Sequence, residues 1–192
     1  MGLLAREAIQ LTMQAFPKDT CFVVANGYLS REVYGVEDRP GNFYMIGSMG
    51  LGASIALGAA LARPERRLAV LDGDGNVLMA LGALALIGAE APKNLLHVCF
   101  DNGVYASTGN QPSISRKVSL EGIAREAGYR WSAQAAGRAE VEAKLAELVQ
   151  QEGPAFLRVL IDPEPHPKEF PRVSHTPEEM RQRFSDALAG KA

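Results

Sequence analysis

Apolar positions along the chain alternate between two periods. Residues 3–16 place apolar side chains at 4, 8, 11 and 15, one face of a helix, and the segment stops ahead of Pro17. Cys21–Ala25 (CFVVA) is an unbroken apolar run closed by Asn26-Gly27. Such a run is the pattern of a strand buried on both faces of a parallel sheet. Comparable runs follow at Phe43–Ile46, Leu68–Leu71, Leu95–Phe100 and Phe156–Ile161, which makes five predicted strands. Helical segments separate most of them, at Leu51–Leu61, Val77–Ala89, Leu120–Ala127 and Glu140–Gln151. Thr176-Pro177-Glu178-Glu179 is a capping box with proline at the first helical position, so a last helix is predicted near Glu178–Leu188. Prolines at 163, 165, 167 and 171 predict an extended surface tail over 162–171. Strands alternating with helices predict an α/β fold of three layers, αβα, with a mainly parallel central sheet and residues 1–192 as one domain.

In such sheets a ligand lies outside the carboxyl ends of the strands. The predicted strands end in Asn26-Gly27, Gly47-Ser48-Met49-Gly50, Asp72-Gly73-Asp74-Gly75 and Asn102-Gly103, so four glycine-bearing loops line one edge. Nineteen glycines in 192 residues is the one unusual count, and this clustering gives it meaning. Net charge is −2, so no basic excess points to nucleic acid. Cys21 and Cys99 sit inside apolar runs and make neither a disulfide framework nor a CxxC metal knuckle. Residues 45–62 carry no charge over 18 positions, long enough to span a membrane. Their glycines and serines suit a closely packed helix instead. With no signal-peptide pattern at the start, a cytoplasmic protein is expected.

Asp72-Gly73-Asp74-Gly75-Asn76 carries the most chemistry. Its glycines permit positive φ and close approach of a ligand to the backbone. A helix beginning near Asn76 aims its free amides at the same spot, which suits a phosphate. A carboxylate beside a diphosphate is repulsive unless a cation bridges them. Asp74 therefore reads as a hard-metal ligand, with Mg²⁺ as the ion. If the next strand is a neighbour, Asn102 offers its side-chain oxygen to the same cation and Val104 its carbonyl. Each segment alone also reads as an ordinary turn. Gly-Asp-Gly and Asp-Asn at consecutive strand ends, separated by residues 76–100, form a far more specific pair.

That pair resembles the signature of thiamine diphosphate enzymes. The resemblance runs across Asn42–Ser115, and YMIGSMG with FDNGVYASTGNQ narrows it to the diphosphate-binding domain of sulfopyruvate and phosphonopyruvate decarboxylases. It implies thiamine diphosphate and Mg²⁺ as cofactors, with Asp74, Asn102 and the Val104 carbonyl on the metal. It implies that Gly75 and Asn76 amides hold the diphosphate, where the family more often has a small residue than Asn76. The Gly47 carbonyl would accept from the aminopyrimidine, and Met49 would be the apolar wedge beneath the bent cofactor. Asn26, Gly27 and Tyr28 would form a further loop reaching the diphosphate, and Ser48, Gly73 and Tyr105 complete the cofactor set.

The implied reaction is nonoxidative decarboxylation of a 3-sulfo- or 3-phosphono-2-oxoacid, sulfopyruvate preferred. Loop 104–117 is the candidate lid. Tyr105, Ser107, Thr108 and Gln111 are its donors for substrate, and Arg116, Lys117 and, outside the loop, Arg31 are candidates to steer an anion. His97, mid-strand, reads as buried structure, and His166 and His175 fall in the proline-rich tail. The family activates its cofactor with a glutamate from a pyrimidine-binding domain, and no carboxylate here claims that role. The chain is therefore expected to be a β-type subunit with a pyrimidine-binding α partner that donates the glutamate. Other readings stay open: the β subunit of a 2-oxoacid:ferredoxin oxidoreductase, an acetohydroxyacid-synthase-like carboligase, and a noncatalytic thiamine-diphosphate-binding subunit. Two cysteines are too few for a four-thiolate iron–sulfur site within the chain, which weighs against the first.

Overall fold

The computed structural model describes residues 2–163 and 170–191; His166 and the prolines at 165 and 167 lie outside them. Six parallel strands form the central sheet: β1 Cys21–Val24, β2 Asn42–Tyr44, β3 Leu68–Gly73, β4 Leu95–Asp101, β7 Trp131–Ala136 and β8 Ala155–Leu160. Their order is β2-β1-β3-β4-β8-β7. Alternate residues of each strand feed two apolar cores, one per face: Phe22, Val24, Ala69, Leu71, Leu96 and Val98 on one side, Cys21, Val23, Leu68, Val70, Leu95 and Cys99 on the other.

The first face is covered by α1 Ala5–Ala15, α2 Tyr28–Val36 and α7 Arg138–Leu148. Helices α3 Gly52–Ala62, α5 Leu81–Glu90 and α6 Leu120–Glu126 cover the second, and α8 Pro177–Leu188 packs beside β2. The result is the predicted αβα arrangement, with every neighbouring strand pair parallel. Helix α3 buries Ala53, Ala56, Leu57 and Ala60 against the sheet, so the uncharged stretch at 45–62 is a helix packed on the sheet and its lead-in. No helix among the described residues is long and apolar enough to cross a membrane. The predicted capping box opens α8: Thr176 Oγ1 accepts from the Glu179 amide at 3.2 Å, and Glu179 Oε2 accepts from the Thr176 amide at 2.8 Å.

Five features differ from the sequence expectation. Helix α2 and strand β7 were not foreseen. The single helix expected at Val77–Ala89 is two, a short α4 Asp74–Met79 and then α5, broken at Ala80. The expected lid loop is a β-hairpin, with β5 Val104–Tyr105 antiparallel to β6 Gln111–Pro112. The helix behind β3 begins at Asp74 rather than near Asn76, so Asp74 belongs to its first turn.

Candidate functional site

Strands β3 and β4 are neighbours, with Gly73 opposite Phe100. The residues just past that pair, Asp74 on one chain segment and Asp101-Asn102 on the other, therefore emerge side by side. Asp74 and Asn102 open onto a cleft at the carboxyl edge of the sheet, also lined by Asn26, Gly27, Tyr28, Met49, Gly73, Gly75, Asn76, Val104, Tyr105 and Ser107, while Asp101 is fully buried. Most of the predicted cofactor set is thus brought together in one concavity, although it derives from four separate strand ends.

Several predicted residues stand elsewhere. Gly47 and Ser48 are exposed on the rim and do not line the cleft. Thr108 and Gln111 are exposed at the hairpin tip and bond each other, Thr108 Oγ1 to Gln111 Oε1 at 2.9 Å. Arg116 binds backbone carbonyls of Asp101 and Ile161, each at 3.2 Å, behind the hairpin. Lys117 is exposed, and Arg31 lines a neighbouring pocket. His97 is fully buried under Phe156, ring centroids 4.9 Å apart, with its ring nitrogens 3.3 Å from Asp72 Oδ2 and 3.4 Å from Tyr129 Oη. It is interior structure, as expected.

The glycines of the β3–α4 turn serve space rather than backbone sign. Gly73 has φ −104°, and Gly75 is helical, so neither adopts positive φ. A Cβ on Gly75 would lie 2.6 Å from Tyr105 Cε1 and 2.9 Å from Met49 Cε. Bare backbone is thereby held between an aromatic ring and a thioether at the cleft floor. Positive φ occurs instead on the flanking loops, at Gly27 (90°), Ser48 (55°), Gly50 (88°) and Gly103 (73°). Asn76 ties two of these parts together, its Oδ1 accepting from the Gly50 amide at 2.9 Å. A smaller residue there would release the rim loop.

Asp74 is 3% exposed. Burial pushes its carboxyl above the usual range, a Ser113 hydrogen bond opposes that, and the nearby Asp101 charge adds to it. Ser113 Oγ donates to Asp74 Oδ2 and lies 2.9 Å from Ser115 Oγ. Ser115 Oγ donates to Asp101 Oδ1 at 2.8 Å, and the Gly103 amide donates to the same oxygen at 2.9 Å. On its other side Asp101 Oδ2 accepts from Arg158 Nε at 2.8 Å. Arg158, 4% exposed, also binds the Ser115 carbonyl at 2.7 Å and Glu121 Oε2 at 3.0 Å. Two buried serines thus lie between the Arg158–Asp101 pair and Asp74 at the cleft. None of Asp101, Ser113, Ser115 or Arg158 was singled out from the sequence as part of the site.

The donors facing the cleft suit a hard cation. Asp74 supplies a buried carboxylate that has the Ser113 hydroxyl on one oxygen and the Asp101 charge nearby. Asn102 is half-buried in the same lining, its side-chain oxygen turned back to the Val104 amide at 3.0 Å. Val104 faces Pro112 across the hairpin, a residue with no N–H to give. Among the described residues no group of three or more His, Cys, Asp or Glu could hold a metal alone. A cation here must complete its shell with phosphate oxygens, carbonyls and water, which is the habit of Mg²⁺.

Residues 27–159 match the family model described as thiamine pyrophosphate enzyme, C-terminal TPP binding domain. The chain is 40% identical over 177 residues to a phosphonopyruvate decarboxylase of Streptomyces viridochromogenes, covering 92% of this chain and 44% of that one. It is 37% identical over 169 residues to a sulfopyruvate decarboxylase subunit beta of Methanothermobacter thermautotrophicus, covering 88% and 87%. A thiamine diphosphate-dependent 4-hydroxybenzoylformate decarboxylase of Rhodococcus jostii superposes with a TM-score of 0.72 at 20% identity, over 85% of this chain and 33% of that one. The chain thus spans less than half of the phosphonopyruvate decarboxylase and most of the β subunit. By the match over residues 27–159, it belongs to the thiamine pyrophosphate enzymes and carries their C-terminal TPP binding domain.

Proposed function

We propose that the chain is the β-type subunit of a Mg²⁺- and thiamine-diphosphate-dependent 2-oxoacid decarboxylase, converting sulfopyruvate to sulfoacetaldehyde and carbon dioxide. The observation that carries this reading is the convergence of Asp74, Gly75, Asn102, Met49 and Tyr105 on one cleft between β3 and β4. The Methanothermobacter relative, a sulfopyruvate decarboxylase subunit beta, supports the substrate. Phosphonopyruvate is the second reading, supported by the Streptomyces relative.

When bound, thiamine diphosphate supplies the electron sink that lets carbon dioxide leave the 2-oxoacid. The rest falls to the protein. Asp74 and Asn102 would hold the cation that neutralises the diphosphate, and the first amides of α4 at Gly75 and Asn76 would bind the diphosphate itself. Met49 and Tyr105 both pack at Gly75 and would bound the apolar part of the cofactor. The hairpin carrying Tyr105 and Ser107 covers the cleft and excludes water. The α partner supplies the pyrimidine-binding surface and the activating glutamate. An exposed apolar rim favours such a partner: Ile46 and Leu51 lead into α3, and Met79 and Leu81 flank the break at Ala80. These segments touch, since a Cβ on Gly50 would meet Ala80 Cβ at 2.8 Å.

The test mixes this chain with a candidate α partner, thiamine diphosphate, Mg²⁺ and sulfopyruvate, and follows aldehyde release without an electron acceptor. Release that vanishes with Asp74→Ala supports the reading. Turnover only with ferredoxin transfers the chain to the oxidoreductases, and silence with both acids returns it to a binding role.

A further inference from the structure

A second pocket shares Gly27, Tyr28 and Ser107 with the cleft and extends between the ends of β1 and β2 and the chain around Val173. Its basic side chains, among the described residues, are Arg31, Arg172 and His175, and no Asp or Glu lines it. His175 is already engaged: its Nε2 lies 2.9 Å from Asp38 Oδ2, and Arg183 Nη2 donates to that oxygen at 2.8 Å. The other Asp38 oxygen accepts from Tyr44 Oη at 2.9 Å, so Asp38 is fully engaged. Arg31 and Arg172 have neither an ion pair nor a hydrogen bond with any described residue; Arg31 only lies over the Tyr28 ring, 5.7 Å from its centroid. Two guanidiniums facing one concavity without a carboxylate repel each other and concentrate anions there. Their planar forks match the oxygens of a tetrahedral oxyanion.

The geometry points to Arg31 and Arg172 as the seat of the substrate's sulfonate or phosphonate group, an assignment that rests on the decarboxylase reading above. In a 3-sulfo- or 3-phosphono-2-oxoacid a single methylene separates the ketone carbon from sulfur or phosphorus. The oxyanion pocket must therefore adjoin the reaction cleft, and the shared walls at Gly27, Tyr28 and Ser107 meet that requirement. A plain 2-oxoacid such as pyruvate leaves both guanidiniums unpaired, so the pocket selects for the second acidic group.

The assembled enzyme is assayed with Arg31→Gln, Arg172→Gln and the double variant. Losing one charge-assisted contact predicts a KM increase of about tenfold or more for the oxyanion-bearing acids, and about a hundredfold in the double variant. Turnover number, thiamine diphosphate affinity and thermal melting are predicted to hold, and lysine at both positions to recover part of the loss. The acid that suffers more identifies the preferred oxyanion. An unchanged KM in the double variant overturns the pocket while the decarboxylase reading stands. If the wild-type assembly decarboxylates neither acid, that reading fails instead, and titration of the full chain with sulfoacetate and phosphonoacetate decides the pocket separately. Binding weakened at least about tenfold in the double variant, with acetate inert in both, sustains it; equal binding by both proteins removes it.

Discussion

At Gly75 the absence of a side chain is a steric necessity. Tyr105 and Met49 already occupy the place a Cβ would take, at 2.6 and 2.9 Å. Gly75→Ala is predicted to displace both neighbours and weaken Mg²⁺-dependent thiamine diphosphate binding by about tenfold or more. Calorimetric titration checks this, with the melting temperature as control. Asp74 and Asn102 were legible in the sequence because each follows a run of strand residues and sits beside a glycine. Their supports were not. Ser113 reaches Asp74 from 39 positions away, and Arg158 reaches Asp101 from 57. No local pattern marks such bonds, and a serine in a polar loop looks like solvated surface until the hairpin folds it inward. A mid-strand arginine was the one available signal: Arg158 interrupts the apolar run Phe156–Ile161, and a buried charge there requires a partner.

Among elements, the buried ones were the readable ones. Strands β1, β3 and β4 are covered on both faces and read as continuous apolar runs. Edge strand β7, WSAQAA, is mostly half-exposed and carries no such run, so pairing with β8 rather than its own composition makes it a strand. Helix α2, YLSREVYGV, directly follows the Asn26-Gly27 break and includes Gly35, and both features read as loop. The Arg158–Asp101 pair fastens β8 to β4 and to the hairpin. Arg158→Leu leaves buried Asp101 with only the longer Arg116 contact at 3.9 Å, with a predicted loss of about 3 kcal/mol in denaturant unfolding. The same variant is predicted to bind thiamine diphosphate more weakly than its residual stability explains, because the two serines that steady Asp74 lose their anchor.

For the whole molecule, the parallel sheet explains why one edge carries the site. Every strand of the sheet points the same way, so loops from β1, β2, β3 and β4 gather at one end. The apolar side chains beside that end are unusually open: Ile46 is 72% exposed and Met79 63%. Placing glutamate at both positions is predicted to leave the melting of the chain alone unchanged while weakening association with the proposed α partner by about tenfold or more, read by analytical ultracentrifugation. An equal association constant would assign that rim no part in assembly.

The central claim is that a divalent cation joins Asp74 and Asn102 to the diphosphate of thiamine diphosphate at the end of β3 and β4. Anomalous diffraction from a crystal grown with thiamine diphosphate and Mn²⁺ in place of Mg²⁺ addresses it directly. The predicted result is one strong manganese peak bounded by the Asp74 carboxylate, the Asn102 side-chain oxygen and the diphosphate. A coenzyme bound with its metal away from Asp74, or a manganese peak elsewhere on the chain, would contradict the account.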